Sequence, residues 1–220
     1  MIELEKVSKI YKFDDVVTEA LKDVSLTIDN GEFVAVMGAS GSGKSTLLNI
    51  MGCMDTPTSG KYILDNEIIS DSNSQKLSQI RNRKITFVFQ NFALMEKYSA
   101  YENIELPLVN RKVSAGERHK KVAEIAKKLG IENQLRKLPK QMSGGQQQRI
   151  ALARALVSGA NIILADEPTG ALDHQTGIEL MELLKNLNND GKTVVLVTHD
   201  SSIASYANRI IYISDGRIKE

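Results

Sequence analysis

The sequence predicts an α/β fold: a mostly parallel sheet with helices on its faces. Three observations carry that prediction. Short continuous apolar runs, Phe33–Met37, Ile85–Phe89, Ile162–Ala165 and Val194–Val197, read as strands buried on both faces. Apolar residues at helical spacing lie between them, as in Ile178, Met181, Leu184 and Leu187. Strand, helix and strand in succession is the pattern of a parallel sheet with crossover helices. A stretch from about residue 100 to 158, rich in Glu, Lys, Ala and Leu, interrupts the pattern and reads as a helical insert.

Taken in order, residues 2–10 and 20–28 alternate polar and apolar like half-buried strands, with acidic and turn residues between them. Gly31 introduces the buried strand at 33–37. A Gly-rich loop follows, then an apolar helix carrying Leu47, Leu48, Ile50 and Met51. Thr56-Pro57-Thr58-Ser59-Gly60 is a turn signal that closes this unit. The next strand is 85–89. Val122, Ile125, Ala126 and Leu129 mark a helix within the insert. The strands at 162–165 and 194–197 follow, and Ile210–Ile213 with the turn around Gly216 forms a last hairpin.

Composition narrows the class. The chain has 220 residues, with 42% hydrophobic and 25% charged, which is ordinary globular usage and excludes disorder as the main description. The 28 Lys and Arg against 27 Asp and Glu leave a net charge of +1, so no nucleic-acid partner held by bulk electrostatics is expected. The single Cys53 supports neither an internal disulfide nor a cysteine metal cluster. The first residues lack the basic start and apolar run of a signal peptide, and no apolar stretch approaches the ~20 residues that cross a bilayer. A membrane role is therefore expected to run through a partner chain.

Two glycine clusters and one acidic strand end carry chemistry. Gly38-Ala39-Ser40-Gly41-Ser42-Gly43-Lys44-Ser45 fits G-x-x-x-x-G-K-[ST], between a buried strand and an apolar helix. Glycines let the backbone curl until several N–H groups face phosphate oxygens, and the helix N-terminus adds partial positive charge. Lys44 is placed to reach the β- and γ-phosphates, and Ser45 to offer its hydroxyl to Mg²⁺. The strand at 162–165 runs into Asp166-Glu167. Two carboxylates at a buried strand end are costly unless a cation offsets them. Asp166 fits a Mg²⁺ partner and Glu167 a general base that polarises the attacking water. Met142-Ser143-Gly144-Gly145-Gln146-Gln147-Gln148-Arg149 opens another helix, a second anion-seeking N-terminus or a simple cap.

That second string closely resembles the Leu-Ser-Gly-Gly-Gln signature of ATP-binding cassette proteins, with Met142 in place of Leu. Other family motifs stand in the family's order. Tyr11 matches the adenine-stacking aromatic, Gln90 the glutamine-loop residue, Leu172-Asp173 the loop after the acidic strand, and His199 the switch histidine. The resemblance spans Tyr11 to about Gly216. It implies a phosphate-loop NTPase cassette in a single unit over residues 1–220. Residues 1–98 and 159–220 would form the core with an antiparallel β subdomain, and residues 99–158 a helical signature subdomain. ATP and Mg²⁺ are the implied cofactors. The implied nucleotide contacts are Tyr11, the loop from Gly38 through Thr46, Gln90, Asp166, His199, and Ser143, Gly144, Gly145 and Gln146. Ser45, Gln90 and Asp166 are the implied Mg²⁺ contacts, and Glu167, His199, Gln90 and Lys44 the catalytic set. The family also implies a head-to-tail dimer with a second copy, each ATP lying between one phosphate loop and the other signature.

Read from the residues alone, Tyr11 fits edge packing as well as base stacking, and His199 a satisfied strand-end imidazole. His119 and His174 fit no motif, and Cys53 sits among small and apolar residues. Phe92-Ala93-Leu94-Met95 follows Gln90, where the family receives a helix of a membrane permease. Arg81–Gln90, Tyr101–Leu108 and Asp166–Asp173 resemble the macrolide-exporter, lipoprotein-release and antimicrobial-peptide-resistance subgroup. Gly170-Ala171 departs from the more general Ser-Ala-Leu-Asp loop but suits this subgroup. The resemblance implies a place at the cytoplasmic face of the membrane, powering export or extracytoplasmic work. The alternative is a cassette regulator of cell-division or envelope type, which shares every motif. A repair cassette would need a long coiled coil between Lys44 and Ser143, and a GTPase would need a guanine-reading Asn-Lys-x-Asp; neither is present.

Overall fold

The computed structural model describes residues 1–219. Its centre is a six-stranded sheet in the order β10-β9-β3-β8-β7-β6. The strands are β3 (Phe33–Met37), β6 (Ile85–Phe89), β7 (Ile162–Asp166), β8 (Thr193–Thr198), β9 (Arg209–Ser214) and β10 (Arg217–Lys219). All neighbours are parallel except β10, which folds back on β9. β8 is buried at all six positions, with the apolar run Val194–Val197 between two buried threonines.

A second, antiparallel sheet has the order β2-β1-β4-β5. It contains β1 (Ile2–Phe13), β2 (Val16–Ile28), β4 (Ser59–Leu64) and β5 (Glu67–Ile68). β1 and β2 run three residues or more beyond the alternating segments and meet in a tight hairpin at Asp14, whose φ is +49°. The turn signal at 56–60 ends sooner than the sequence predicts, because Ser59 and Gly60 already belong to β4. Gly60 has φ +85°, and a Cβ there would lie 2.3 Å from the Lys6 carbonyl oxygen, so only glycine lets β4 close on β1.

Helix α1 (Lys44–Met51) lies between the sheets, and α2 (Ser74–Arg83) packs Leu77 and Ile80 against the same core. They close a core that takes Ile2, Leu4 and Tyr62 from one sheet and Val34, Leu164 and Val197 from the other. The opposite face of the large sheet is covered by α5 (Gly144–Val157), α6 (His174–Asn189) and the short α7 (Ser201–Ala204). Helices α3 (Ala100–Asn110) and α4 (Ala115–Leu129) pack with α5 around Ile104, Leu108, Val122 and Ile150 as a separate apolar cluster. Thus α5 belongs to two cores at once. Among the described residues no helix is long and apolar enough to cross a membrane.

Candidate functional site

The parallel register aligns the C-terminal ends of four strands. Met37 pairs Thr198, Val197 pairs Asp166, and Asp166 pairs Phe89. Every strand end therefore delivers one motif to one rim, the place where open α/β sheets hold ligands. β3 delivers the phosphate loop, β6 Gln90, β7 Asp166 and Glu167, and β8 His199. A cleft of about 810 Å³ is lined by Ser40, Lys44, Ser45, Thr46, Gln90, Asp166, Glu167 and His199.

The phosphate loop is built to meet an anion. Lys44 is 9% exposed, and its ammonium donates to the Gly38 and Ala39 carbonyls at 2.7 and 2.8 Å. An ammonium has three donors, so one N–H remains beyond the loop carbonyls. Ser42 is buried, and its Oγ has no hydrogen-bond partner. Gly43 caps α1 at φ +107°, where a Cβ would sit 2.5 Å from the Ala20 carbonyl. The loop is pinned from outside: Gly216 N donates to the Ser42 carbonyl at 3.0 Å, and Lys22 N to the Gly216 carbonyl at 2.8 Å. The β9–β10 turn thus holds the loop against β2, a role that the hairpin pattern at Gly216 did not disclose.

Burial pushes the Asp166 carboxyl above its ordinary value. The Ser45 hydroxyl draws it back, neighbouring Glu167 raises it further, and Lys44 lowers it. Such a carboxyl favours an incoming cation. Ser45, Asp166 and Gln90 present oxygen donors to the same cleft, the hard set that Mg²⁺ takes. No cluster of three His, Cys, Asp or Glu able to hold a metal occurs among the described residues. The donors therefore fit an ion whose coordination is completed by phosphate oxygens.

Glu167 sits in the left-handed region at φ +45°, an uncommon place for a non-glycine residue. Its amide donates to the Val197 carbonyl at 3.0 Å, which ties the turn to β8. In the tautomer this contact requires, His199 Nδ1–H donates to Glu167 Oε1 at 2.7 Å, and Thr198 Oγ1 donates to Oε2 at 3.4 Å. The carboxylate is held from β8 while it faces the cleft. Gln90 rests on Gly170, where a Cβ would lie 2.6 Å from Gln90 Nε2. Glycine at 170 leaves room for that approach.

Other sequence-marked residues lie elsewhere. Tyr11 does not line the cleft but stands beside Thr46. Its hydroxyl donates to Asp55 at 2.7 Å, and Lys9 lies over its ring at 4.9 Å. Burial works to raise the Asp55 carboxyl, but bonds from Lys9, Tyr11 and the Thr56 amide outweigh it and hold it below its ordinary value. The sequence did not reveal this cluster because its members come from two segments, with Tyr11 and Asp55 44 positions apart. His119 and His174 are exposed, and Cys53 is buried, its thiol pushed up to about 11 by desolvation.

Ser143, Gly145 and Gln146 line a different, smaller cleft with Thr176 and Arg149. Ser143 caps α5 in a reciprocal box: its Oγ accepts from Gln146 N at 3.3 Å, and Gln146 Oε1 accepts from Ser143 N at 3.1 Å. Gly145 lets α5 approach α6, since a Cβ would lie 2.7 Å from Thr176 Cγ2. Two residues to which no motif gave a role fix the loop after Gln90. Arg154 donates to the Phe92 and Ala93 carbonyls at 2.9 and 2.6 Å. Asn103 is fully buried and trades bonds with both backbone groups of Met95.

This fold and rim define a phosphate-loop nucleoside-triphosphatase. The family described as "ABC transporter" matches residues 21–170. The "Uncharacterized ABC transporter ATP-binding protein MJ0796" of Methanocaldococcus jannaschii is 51% identical over 224 residues, covering 100% of this chain and 95% of that protein. The "Macrolide export ATP-binding/permease protein MacB" of Brucella abortus is 49% identical over 218 residues, 99% of this chain. The chain spans 34% of that relative's length. A dimeric structure of MJ0796, "a Bacterial ABC Transporter Cassette", superposes with a TM-score of 0.93 at 50% identity, covering 100% of this chain and 97% of that one. A dimeric post-hydrolysis state of MJ0796 bound to ADP and Pi also gives 0.93, at 49% identity and the same coverage. The chain belongs to the ABC transporter family, as an ATPase cassette.

Proposed function

We propose that two copies of this chain clasp two ATP molecules head to tail, and that closure and hydrolysis drive a membrane permease. One observation carries the reading. The chain has two phosphate-seeking helix ends, at Lys44 and Ser143, and they line separate clefts. A single copy uses only one. A two-fold pair brings each Ser143-Gly144-Gly145 turn to the partner's phosphate loop, which completes both sites at once. The dimeric MJ0796 structures support this arrangement.

In this reading Lys44, the loop amides and the partner's Ser143 hold the phosphates, and Tyr11 lies toward the base. Ser45, Asp166 and Gln90 would hold Mg²⁺, which would supply charge neutralisation to the phosphates when bound. Glu167 takes a proton from the attacking water, and His199 fixes the carboxylate and contacts the γ-phosphate. Glu167→Gln is expected to keep ATP binding, lower turnover at least ~100-fold and trap an ATP-bound dimer, since a positioned general base supplies about 10²–10⁴ in rate. Phosphate release and light scattering measure both; turnover at the parental rate overturns the assignment.

The permease would dock in a groove of about 730 Å³ beside the loop after Gln90, floored by Phe87 and Phe89, whose rings stack at 5.2 Å. Arg154 links this groove to Phe92 and Ala93, and Met95 is exposed nearby. The MacB relatives support an exporter of that subgroup, seated at the cytoplasmic face of the membrane through its permease.

A further inference from the structure

Gln148 lies one turn beyond the Ser143-Gly144-Gly145 turn on α5, and no motif reading gave it a role. It is 1% exposed. Its Nε2 donates to the Pro168 carbonyl at 3.1 Å. Its Oε1 has no hydrogen-bond partner. Pro168 directly follows Glu167, the residue at φ +45° whose carboxylate faces the cleft. One helix therefore caps with Ser143 at one cleft and, roughly 7.5 Å along at 1.5 Å per residue, holds the backbone next to Glu167 at the other.

The bonding inventory argues against a stabilising role. A carboxamide buried with its acceptor unsatisfied carries a desolvation penalty that one neutral hydrogen bond only partly offsets. An apolar side chain of similar shape would avoid that penalty. The residue makes physical sense as a positioning device, in which a costly buried amide fixes a strained turn.

We infer that Gln148 is a positioning residue: it sets the Glu167 turn and makes the pose of Glu167 depend on where α5 and its Ser143 turn sit. In a head-to-tail pair this couples the two sites. When Ser143 of one copy engages the partner's nucleotide, the same helix adjusts Glu167 in its own site. The inference rests on the reading of Glu167 as the base.

The test compares Gln148→Met and Gln148→Leu with Glu167→Gln in the full chain. ATP turnover, KM for ATP, thermal midpoint and ATP-driven association are measured for each. The expected result is a kcat lowered about tenfold or more, as small displacements of reacting groups cost. KM and association are expected to stay at parental values, and the thermal midpoint to hold or rise. A lower midpoint with unchanged kcat would mark Gln148 as structural and overturn the inference, as would parental kcat in both variants while Glu167→Gln is inactive. If Glu167→Gln itself turns over normally, the base assignment fails instead. Combining Glu167→Gln with Gln148→Met separates the two further: association should persist, since neither change touches the phosphate loop or Ser143.

Discussion

At the scale of single residues the rim is a set of groups whose bonding preferences stay unmet within the chain. Lys44 makes do with two loop carbonyls, Ser42 Oγ has none, and Asp166 is held partly desolvated. Asp166 yields a pH prediction for the nucleotide-free protein. Its folded pKa is raised, so the folded chain keeps a proton that the unfolded chain releases. The stability this provides is present below the ordinary carboxyl value of 3.8 and is lost as pH rises through the raised folded value. Asp166→Asn removes that dependence. Urea unfolding at a series of pH values should show the variant gaining on the parent as pH rises from 3.8 upward. Parallel curves for the two proteins would mean that the surroundings do not raise the Asp166 carboxyl. The same residues mark what sequence could disclose of the site. Lys44, Asp166, Glu167, Gln90 and His199 were legible because each follows a buried strand within a fixed motif. The roles of Gln148, Arg154, Asn103 and the Asp55 cluster were not, since what singles them out is a contact made across the fold.

At the scale of elements, periodicity found the parallel strands and the helices around Val122 and Met181, where burial on one face or two imposes a regular apolar pattern. It missed β4, β5 and α2. α2 buries only Leu77 and Ile80 and is otherwise polar, so it carries almost no amphipathic signal. β4 opens on Ser59-Gly60, residues that read locally as a turn; its strand character comes from pairing with β1, more than fifty residues away. Glycines show the same dependence on neighbours. Gly52 closes α1, and a Cβ there would lie 1.9 Å from Phe87 Cζ. Because the ring stacks on Phe89, it cannot simply swing aside. Gly52→Ala is expected to cost about 1–3 kcal/mol, as overpacking does. Gly116, in the first turn of α4, has open space around it and no unusual φ. Gly116→Ala should stabilise by roughly 0.5–1 kcal/mol by restricting the unfolded chain. Denaturant midpoints for the pair test the contrast: two changes of the same sign would show that local packing is not what separates these glycines.

At the scale of the whole molecule, the proposed function puts the parts of one site in two places on a single chain. The central sheet brings four motifs to one rim, while α5, anchored in both the sheet-facing core and the helical cluster, holds Ser143 at another cleft. Complementation decides whether a second copy joins them. A Lys44→Ala chain keeps a working Ser143 turn but loses its loop lysine; a Ser143→Arg chain keeps the loop and blocks the turn. Either variant alone forms pairs in which both sites are broken. A mixed pair contains one site with both intact parts and one with neither. Random pairing of equal amounts makes about half of all dimers mixed by symmetry, so about a quarter of the parental sites are restored. Both changes are therefore placed on Glu167→Gln chains, where bound ATP persists, and ATP-dependent association is read by energy transfer between differently labelled variants. Signal in the mixture and none in either variant alone is the expected result, with bound ATP near one per mixed pair. If the mixture behaves like its separate components, the two helix ends do not meet across an interface, and Ser143 is no more than the cap of α5.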